Sequence, residues 1–364
     1  MRGEPDFSTP AHIVEAACRA LRDGRTHYPD NRGEPALREA VAAKLLRENG
    51  VAYDAGTEIL VTDGATFGLY AALTATLNEG EEVLLPEPIY DAYTPVIALA
   101  GGRVRPVRAR LADGRWGLTG EAFEAAWTPA AKLILLNTPW NPTGTVLTRE
   151  ELVSVAAFAE RRNLIILSDE IYEVLTYDGR VHLSPAALGE EIRRCVILIN
   201  SLSKTYAMTG WRVGYAAAPR PILEAMFLVL QQSSRGPATF VQDAAVAALN
   251  GPREPVEAMR AEYERRRRLV FERLDGAAGA RLIKPEGGFF ALLDVRALGR
   301  PSEEIRRRLL EDQGVAVVHG AAYGAAGEGT LRISFASGGE ALEIGLLRLR
   351  QGLERLAEAD PRPH

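Results

Sequence analysis

The chain has 364 residues, 47% of them hydrophobic and 25% charged, the make-up of an ordinary globular protein long enough for two domains. Its net charge of −5 gives no electrostatic footprint for nucleic acid, and no apolar run approaches membrane-spanning length, so neither partner is expected. The two cysteines, Cys18 and Cys195, cannot build a disulfide framework, and residues 1–6 lack the apolar core of a signal peptide; a reducing, cytoplasmic location is expected.

In chain order, a strand is expected at 59–62, leading through Gly64 into a helix over 65–77. The free N–H groups at that helix start, at Ala65 and Thr66, suit a phosphate, although many helices begin this way. Further strands are expected at 82–85, 103–107, 132–137, 163–168, 195–200 and 213–217, with helices between them. One of these helices, over 150–162, is capped by Thr148 with Glu151 three residues on, the spacing of a capping box. Near-continuous apolar strands separated by helices predict an α/β fold, with a mostly parallel central sheet flanked by helices. Ligands bind such a sheet beyond the carboxyl ends of its strands. After about residue 250 the pattern changes. A long charged helix over 253–274 precedes alternating strands at 288–294, 315–318 and 330–336, which read as a smaller α+β domain. The expected division is a large cofactor-binding domain at 13–264 and a small domain formed by 1–12 with 265–364. The arginine run at 265–268 lies beside Glu262 and Glu264 and reads as a solvated helix face.

Several of these strand ends carry reactive or hydrogen-bonding groups. The strand at 132–137 runs into Thr138-Pro139-Trp140-Asn141-Pro142-Thr143-Gly144, a rigid loop that either merely connects or holds the Asn141 amide at the crevice. The strand at 163–168 ends in Asp169, with Tyr172 three residues on. That carboxylate either keeps a proton on a heteroaromatic nitrogen or caps a turn, and Tyr172 either bonds a ligand hydroxyl or packs. Lys204 follows the next strand in Ser201-Leu202-Ser203-Lys204. Only four of the 43 lysines and arginines are lysine: Lys44, Lys132, Lys204 and Lys284. Arginine serves equally well for surface charge but cannot form an imine. A lysine kept among hydroxyls at a strand end therefore points to a Schiff base with a carbonyl cofactor. Ser201, Ser203 and Arg212 add phosphate donors. Arg332 stands in an apolar strand and needs an anion, either a structural carboxylate or that of a substrate.

Together these groups describe a site for an anionic, phosphorylated, aldehyde-bearing aromatic cofactor. Here the chain resembles the class I and II pyridoxal-phosphate aminotransferases of fold type I, particularly their bacterial aspartate and broad-specificity branch. The resemblance covers nearly the whole chain. It rests on G-E-P-D-F-x-T-P at 3–10, Tyr28 with G-x-P-x-L-R-E-A at 33–40, N-P-T-G at 141–144, S-D-E-I-Y at 168–172, S-x-S-K at 201–204, M-T-G-W-R-x-G-Y at 208–215 and L-R-I-S-F-A at 331–336.

The resemblance implies transfer of an amino group between an α-amino acid and a 2-oxo acid, with pyridoxal 5'-phosphate as cofactor and no metal. It implies that Lys204 holds the cofactor as a Schiff base and shuttles the proton at Cα. Asp169 would pair with the pyridine nitrogen, and Tyr172 and Asn141 would bond its phenolic oxygen. Tyr90 occupies the place of the aromatic residue stacked on the ring. Ala65, Thr66, Ser201 and Arg212, with Ser203 behind them, would hold the phosphate. Arg332 would fork the substrate α-carboxylate, beside Asn141 and the Gly3 amide. Tyr28 is implied to reach the phosphate bound by a partner subunit, in a homodimer with shared active sites. Relatives carry roughly thirty further residues ahead of G-E-P-D-F, packed on that partner. Arg235 departs from the family's small or hydroxyl residue; it binds an acidic side chain or the phosphate, or lies on the surface. A carbon–sulfur β-lyase on the same scaffold is the alternative activity, distinguished by release of ammonia and pyruvate. A ligand-sensing regulator would need a DNA-binding module or a damaged site, and the sequence has neither.

Overall fold

In the computed structural model, which describes residues 3–358, the apolar runs become strands. β1 (Ile59–Thr62), β2 (Glu82–Glu87) and β3 (Arg103–Arg108) are followed by a hairpin, β4 (Arg110–Ala112) and β5 (Arg115–Gly117). Next come β6 (Ala131–Asn137), β7 (Ile165–Asp169), β8 (Val196–Ser201) and β9 (Gly214–Ala217). Seven of these form one sheet in the order β1-β9-β8-β7-β6-β2-β3. β9 runs antiparallel to both of its neighbours, and the other pairings are parallel. The sheet is thus mostly parallel, as expected, with one reversed strand.

Successive side chains of a strand point to opposite faces, and both faces here are covered. Leu133, Leu135, Leu167, Ile197 and Ile199 pack on one side, against the helices Ala65–Thr76 and Arg220–Ser233. Ile134, Leu136, Ile166, Val196 and Leu198 pack on the other, in the cluster shared with the helices Ala11–Arg22, Arg149–Arg162 and Thr239–Asn250. Burial on both faces is why these strands read as unbroken apolar runs. The capping box forms: the Glu151 N–H donates to Thr148 Oγ1 at 3.2 Å, and the Thr148 N–H to the Glu151 carboxylate at 2.8 Å.

A second sheet contains β10 (Arg281–Ile283), β11 (Phe290–Asp294), β12 (Val318–His319) and β13 (Thr330–Ser334), in the order β10-β11-β13-β12 and antiparallel throughout. Its core is shared with the helices Glu254–Leu274, Ser302–Gln313 and Gly339–Glu358. Of the strand expected at 315–318 only Val318 lies in a strand, the two-residue β12. The short β4–β5 hairpin and β10 are too brief to show a period in sequence. The helix Glu254–Leu274 continues unbroken past residue 264, where the expected division falls.

The arginine run corrects the sequence reading. Arg265 and Arg268 are exposed, but Arg266 and Arg267 are buried. Arg266 donates to Asp6 Oδ1 at 2.8 Å and to the Ala336 carbonyl at 2.7 Å, and Arg267 donates to Asp178 Oδ2 at 2.6 Å. The Gly338 N–H also donates to Asp6, at 2.8 Å. These bonds pin the segment that carries Gly3 against the end of β13 and so bring it to the strand ends of the large sheet. Among the described residues, no helix is long and apolar enough to cross a membrane.

Candidate active site

The carboxyl ends of the parallel strands β1, β6, β7 and β8 open on a cavity of about 300 Å³, where ligands of such sheets are expected. Apart from Tyr28 and Arg235, every site residue singled out from the sequence lines it: Gly3, Ala65, Thr66, Tyr90, Asn141, Asp169, Tyr172, Ser201, Ser203, Lys204, Arg212 and Arg332.

Lys204 stands one turn beyond β8. Its Nζ donates to the Gly3 carbonyl at 2.5 Å and lies 5.7 Å from the centre of the Phe289 ring. Burial lowers the amine to a pKa of about 8; Arg212 pushes the same way, and Glu4 and Asp169 oppose. Asp169, at the end of β7, is buried, and that burial raises its carboxyl to about 6. The Tyr93 hydroxyl donates to its Oδ2 at 2.7 Å, and the Ile171 N–H to Oδ1 at 3.3 Å, and both work against that rise.

Asn137 closes β6 and ties two parts of the wall together. Its Oδ1 accepts the Asn141 N–H at 2.7 Å, and its Nδ2 donates to the Asp169 carbonyl at 3.0 Å. Asn141 Oδ1 accepts a 3.4 Å bond from Arg332 Nη1. The Arg332 guanidinium lies over the Phe290 ring at 4.4 Å and 5.2 Å from the Tyr323 ring. It is buried, its Nε has no partner, and no carboxylate pairs with it among the described residues. Such a fork can receive a carboxylate from a ligand. Tyr172 is buried edge-on to Phe289 and Phe290, and burial pushes its phenol well above the ordinary range, with Tyr90 and Asp169 adding to the rise.

The opposite corner collects donors. The first-turn amides of Ala65 and Thr66 have no acceptor within their own helix. Gly64 has a φ of 79°, and a Cβ there would lie 2.7 Å from Arg212 Nη2, so only glycine lets this guanidinium lie across the helix start. Ser201 Oγ and Ser203 Oγ are 2.8 Å apart beside it. Amides, hydroxyls and a guanidinium at one helix start fit a phosphate. A buried carboxyl, an amine with lowered pKa and aromatic walls fit the pyridine aldehyde that would carry it. Residues 2–345 match the family described as aminotransferase class I and II.

The chain belongs to that family.

It is 42% identical over 355 residues to aromatic-amino-acid aminotransferase 2 of Thermococcus litoralis, a match covering 97% of this chain and 90% of the relative. It is 38% identical over 360 residues to an aspartate aminotransferase of Geobacillus stearothermophilus, covering 98% and 91%. Among solved structures, an aromatic aminotransferase from Pyrococcus horikoshii superposes with a TM-score of 0.94 at 42% identity, covering 97% of this chain and 95% of the other. The aspartate aminotransferase of Thermus thermophilus, solved with maleate, gives 0.89 at 38% identity, covering 99% and 90%. The fold is therefore that of the fold type I pyridoxal-phosphate transferases. The aminotransferase uses pyridoxal 5'-phosphate to move an amino group between an α-amino acid and a 2-oxo acid.

Sequence reasoning missed Tyr93 and Asn137. Tyr93 lies 76 residues from the carboxylate it bonds, and its only signal was the spacing Tyr90-x-x-Tyr93 after β2. Asn137 could have been noticed as an amide closing an apolar strand. Tyr28 is not part of this chain's cavity. It is 83% exposed, with the Arg235 guanidinium 5.2 Å from its ring centre. Arg235 itself is exposed, with a φ of 70°.

Proposed function

We propose that this aminotransferase works with Lys204 as the covalent anchor of pyridoxal phosphate and as the carrier of the proton at the substrate Cα. The observation that carries this reading is the meeting of Lys204, Asp169 and the Arg212 anion corner in one cavity. When bound, the cofactor supplies an electron sink for the charge left at Cα. The chain's own groups do the rest. Asp169, whose carboxylate accepts from the Tyr93 hydroxyl, would keep a proton on the ring nitrogen. Tyr90 would stack on the ring, and Tyr172 and Asn141 would bond its phenolic oxygen. The Ala65 and Thr66 amides, Ser201, Ser203 and Arg212 hold the phosphate. Arg332 receives the substrate α-carboxylate, with Asn141 and the Gly3 amide beside it. Lys204 Nζ would act as the base that takes the Cα proton and as the acid that gives it back.

The wider reading has a homodimer in which Tyr28 enters the neighbouring copy's phosphate corner; its exposure as a large aromatic side chain supports this. It divides the chain into a large domain at 13–264 and a small one formed by 1–12 with 265–364. A cytoplasmic location fits two free cysteines.

The Lys204 amine should show its lowered pKa directly. Its folded value lies below the ordinary 10.5, so the neutral, nucleophilic form gains as pH rises through about 8. The rate at which apoprotein captures pyridoxal phosphate should climb up to about pH 8 and then level. A climb that continues to pH 10 would mean an ordinary exposed lysine does the capturing. Replacing Arg332 by lysine puts a point charge where a fork stood. KM for amino acid and oxo acid should both rise about tenfold or more, whatever the side chain, with cofactor affinity unchanged. Loss confined to acidic substrates would make Arg332 a side-chain reader instead.

A further inference from the structure

Behind the cavity wall lies a charged cluster that the reaction leaves unused. The chain leaving β7 turns Asp169 and Tyr172 toward the cavity. Glu173 is not among the cavity-lining residues, and its carboxylate, 7% exposed, accepts from three partners. These are Lys44 Nζ, Asn49 Nδ2 at 2.9 Å and Asn200 Nδ2 at 2.8 Å. Asn200 closes the path to the site. It is 1% exposed, and its Oδ1 accepts the Ser201 N–H at 2.7 Å. Ser201 Oγ in turn accepts the Ser203 N–H at 3.1 Å. A continuous line of hydrogen bonds therefore runs from Lys44 to the two hydroxyls of the anion corner.

The local chain is shaped to build this line. The helix Pro35–Lys44 passes into a π-helical turn, Leu45–Asn49, ended by Gly50 at a φ of 68°. A π turn bonds residues five apart, so Lys44 and Asn49 come to the same side, where Lys44 Nζ donates to Asn49 Oδ1 at 2.8 Å. The residue choice is equally specific. This chain writes nearly all its cations as arginine, yet Lys44, 3% exposed, is one of its four lysines. The void beside it is about 10 Å³, bounded by Glu173, Asn200 and Tyr206. The ammonium is closely packed there. Burial resists the charge on Glu173, but Lys44, with His182, outweighs it and holds the carboxyl below its ordinary range.

We propose that Lys44 and Glu173 are positioning residues for the cofactor phosphate: they hold Asn200, which accepts the Ser201 N–H, and through it set the Ser201 hydroxyl that faces the anion corner. This rests on the reading that Ser201 binds the phosphate. In Glu173→Gln an amide donor would face Asn49 or Asn200, and buried Lys44 would keep only the more distant Glu48 carboxylate, at 3.7 Å, which tests folding more than positioning. The double variant Lys44→Met/Glu173→Leu removes both charges at similar volume and leaves Asn200 without its acceptor.

The test is titration of the apoprotein with pyridoxal phosphate and, separately, with pyridoxal, which has no phosphate, alongside thermal melts. The double variant should melt close to the unaltered protein and bind pyridoxal as well as it does, yet bind pyridoxal phosphate roughly tenfold more weakly. If both ligands weaken equally, or neither weakens, the proposal is overturned. Should the double variant not fold, Asn200→Ala cuts the same line while keeping the Lys44–Glu173 pair, and the same selective loss is expected; an unchanged preference for the phosphorylated ligand overturns the proposal there. Ser201→Ala separates the two readings. A selective loss in Ser201→Ala without one in the cluster variants refutes the positioning role alone. No loss in Ser201→Ala refutes the phosphate assignment as well.

Discussion

Lys204→Ala should leave a folded protein without turnover. The side chain is half-buried, and its hydrogen bond is to the Gly3 carbonyl. Truncation removes an amine whose charge is already disfavoured by burial. Folding stability should therefore change by no more than about 1 kcal/mol. In the proposed mechanism turnover depends on this amine twice, as the group bonded to the cofactor and as the proton carrier. Its loss should lower kcat by about 10⁴-fold or more. The other lysines cannot substitute: Lys44 is sealed behind the wall, and neither Lys132 nor Lys284 lines the cavity. Activity within a hundredfold of the unaltered enzyme would show that another residue carries the chemistry.

Asp169→Asn should bind cofactor but lose roughly two to three orders of magnitude in rate, because a neutral amide does not keep the ring nitrogen protonated. The same variant carries a stability signature. The Asp169 pKa is raised from 3.8 to about 6 by burial, so the folded apoprotein favours the protonated acid. That advantage is complete below about pH 4 and is lost as pH rises through 6, a swing of about 3 kcal/mol. Apo Asp169→Asn should match the unaltered apoprotein at pH 4 and melt at a higher temperature above pH 6. Near-normal rates, or a stability difference that does not move with pH, would make Asp169 a turn residue only.

What the sequence revealed depended on how each residue stands against its surroundings. β6, β7 and β8 were readable because both sheet faces are covered, which leaves no polar face to break the run. Lys204 and Arg332 stood out as charges of particular type at the end of, or inside, apolar strands. The partners of the site residues were not readable. Tyr93 is one tyrosine among eleven until the fold brings it to Asp169. The Lys44–Glu173 pair spans 129 residues and depends on a π turn that an ordinary helical period does not signal. Arg266 and Arg267 share a helical run with exposed arginines, and only their contacts with Asp6 and Asp178 show which half of the run is buried. Tyr28 gives no sign within one chain of what it faces. Its proposed role would lie in a partner subunit rather than in this chain's own core.

The most direct test of the central assignment is borohydride reduction of the protein loaded with pyridoxal phosphate, followed by digestion and mass spectrometry of the labelled peptide. The pyridoxyl group should be found on Lys204. A label on Lys44, Lys132 or Lys284, with Lys204 unmodified, would contradict the account.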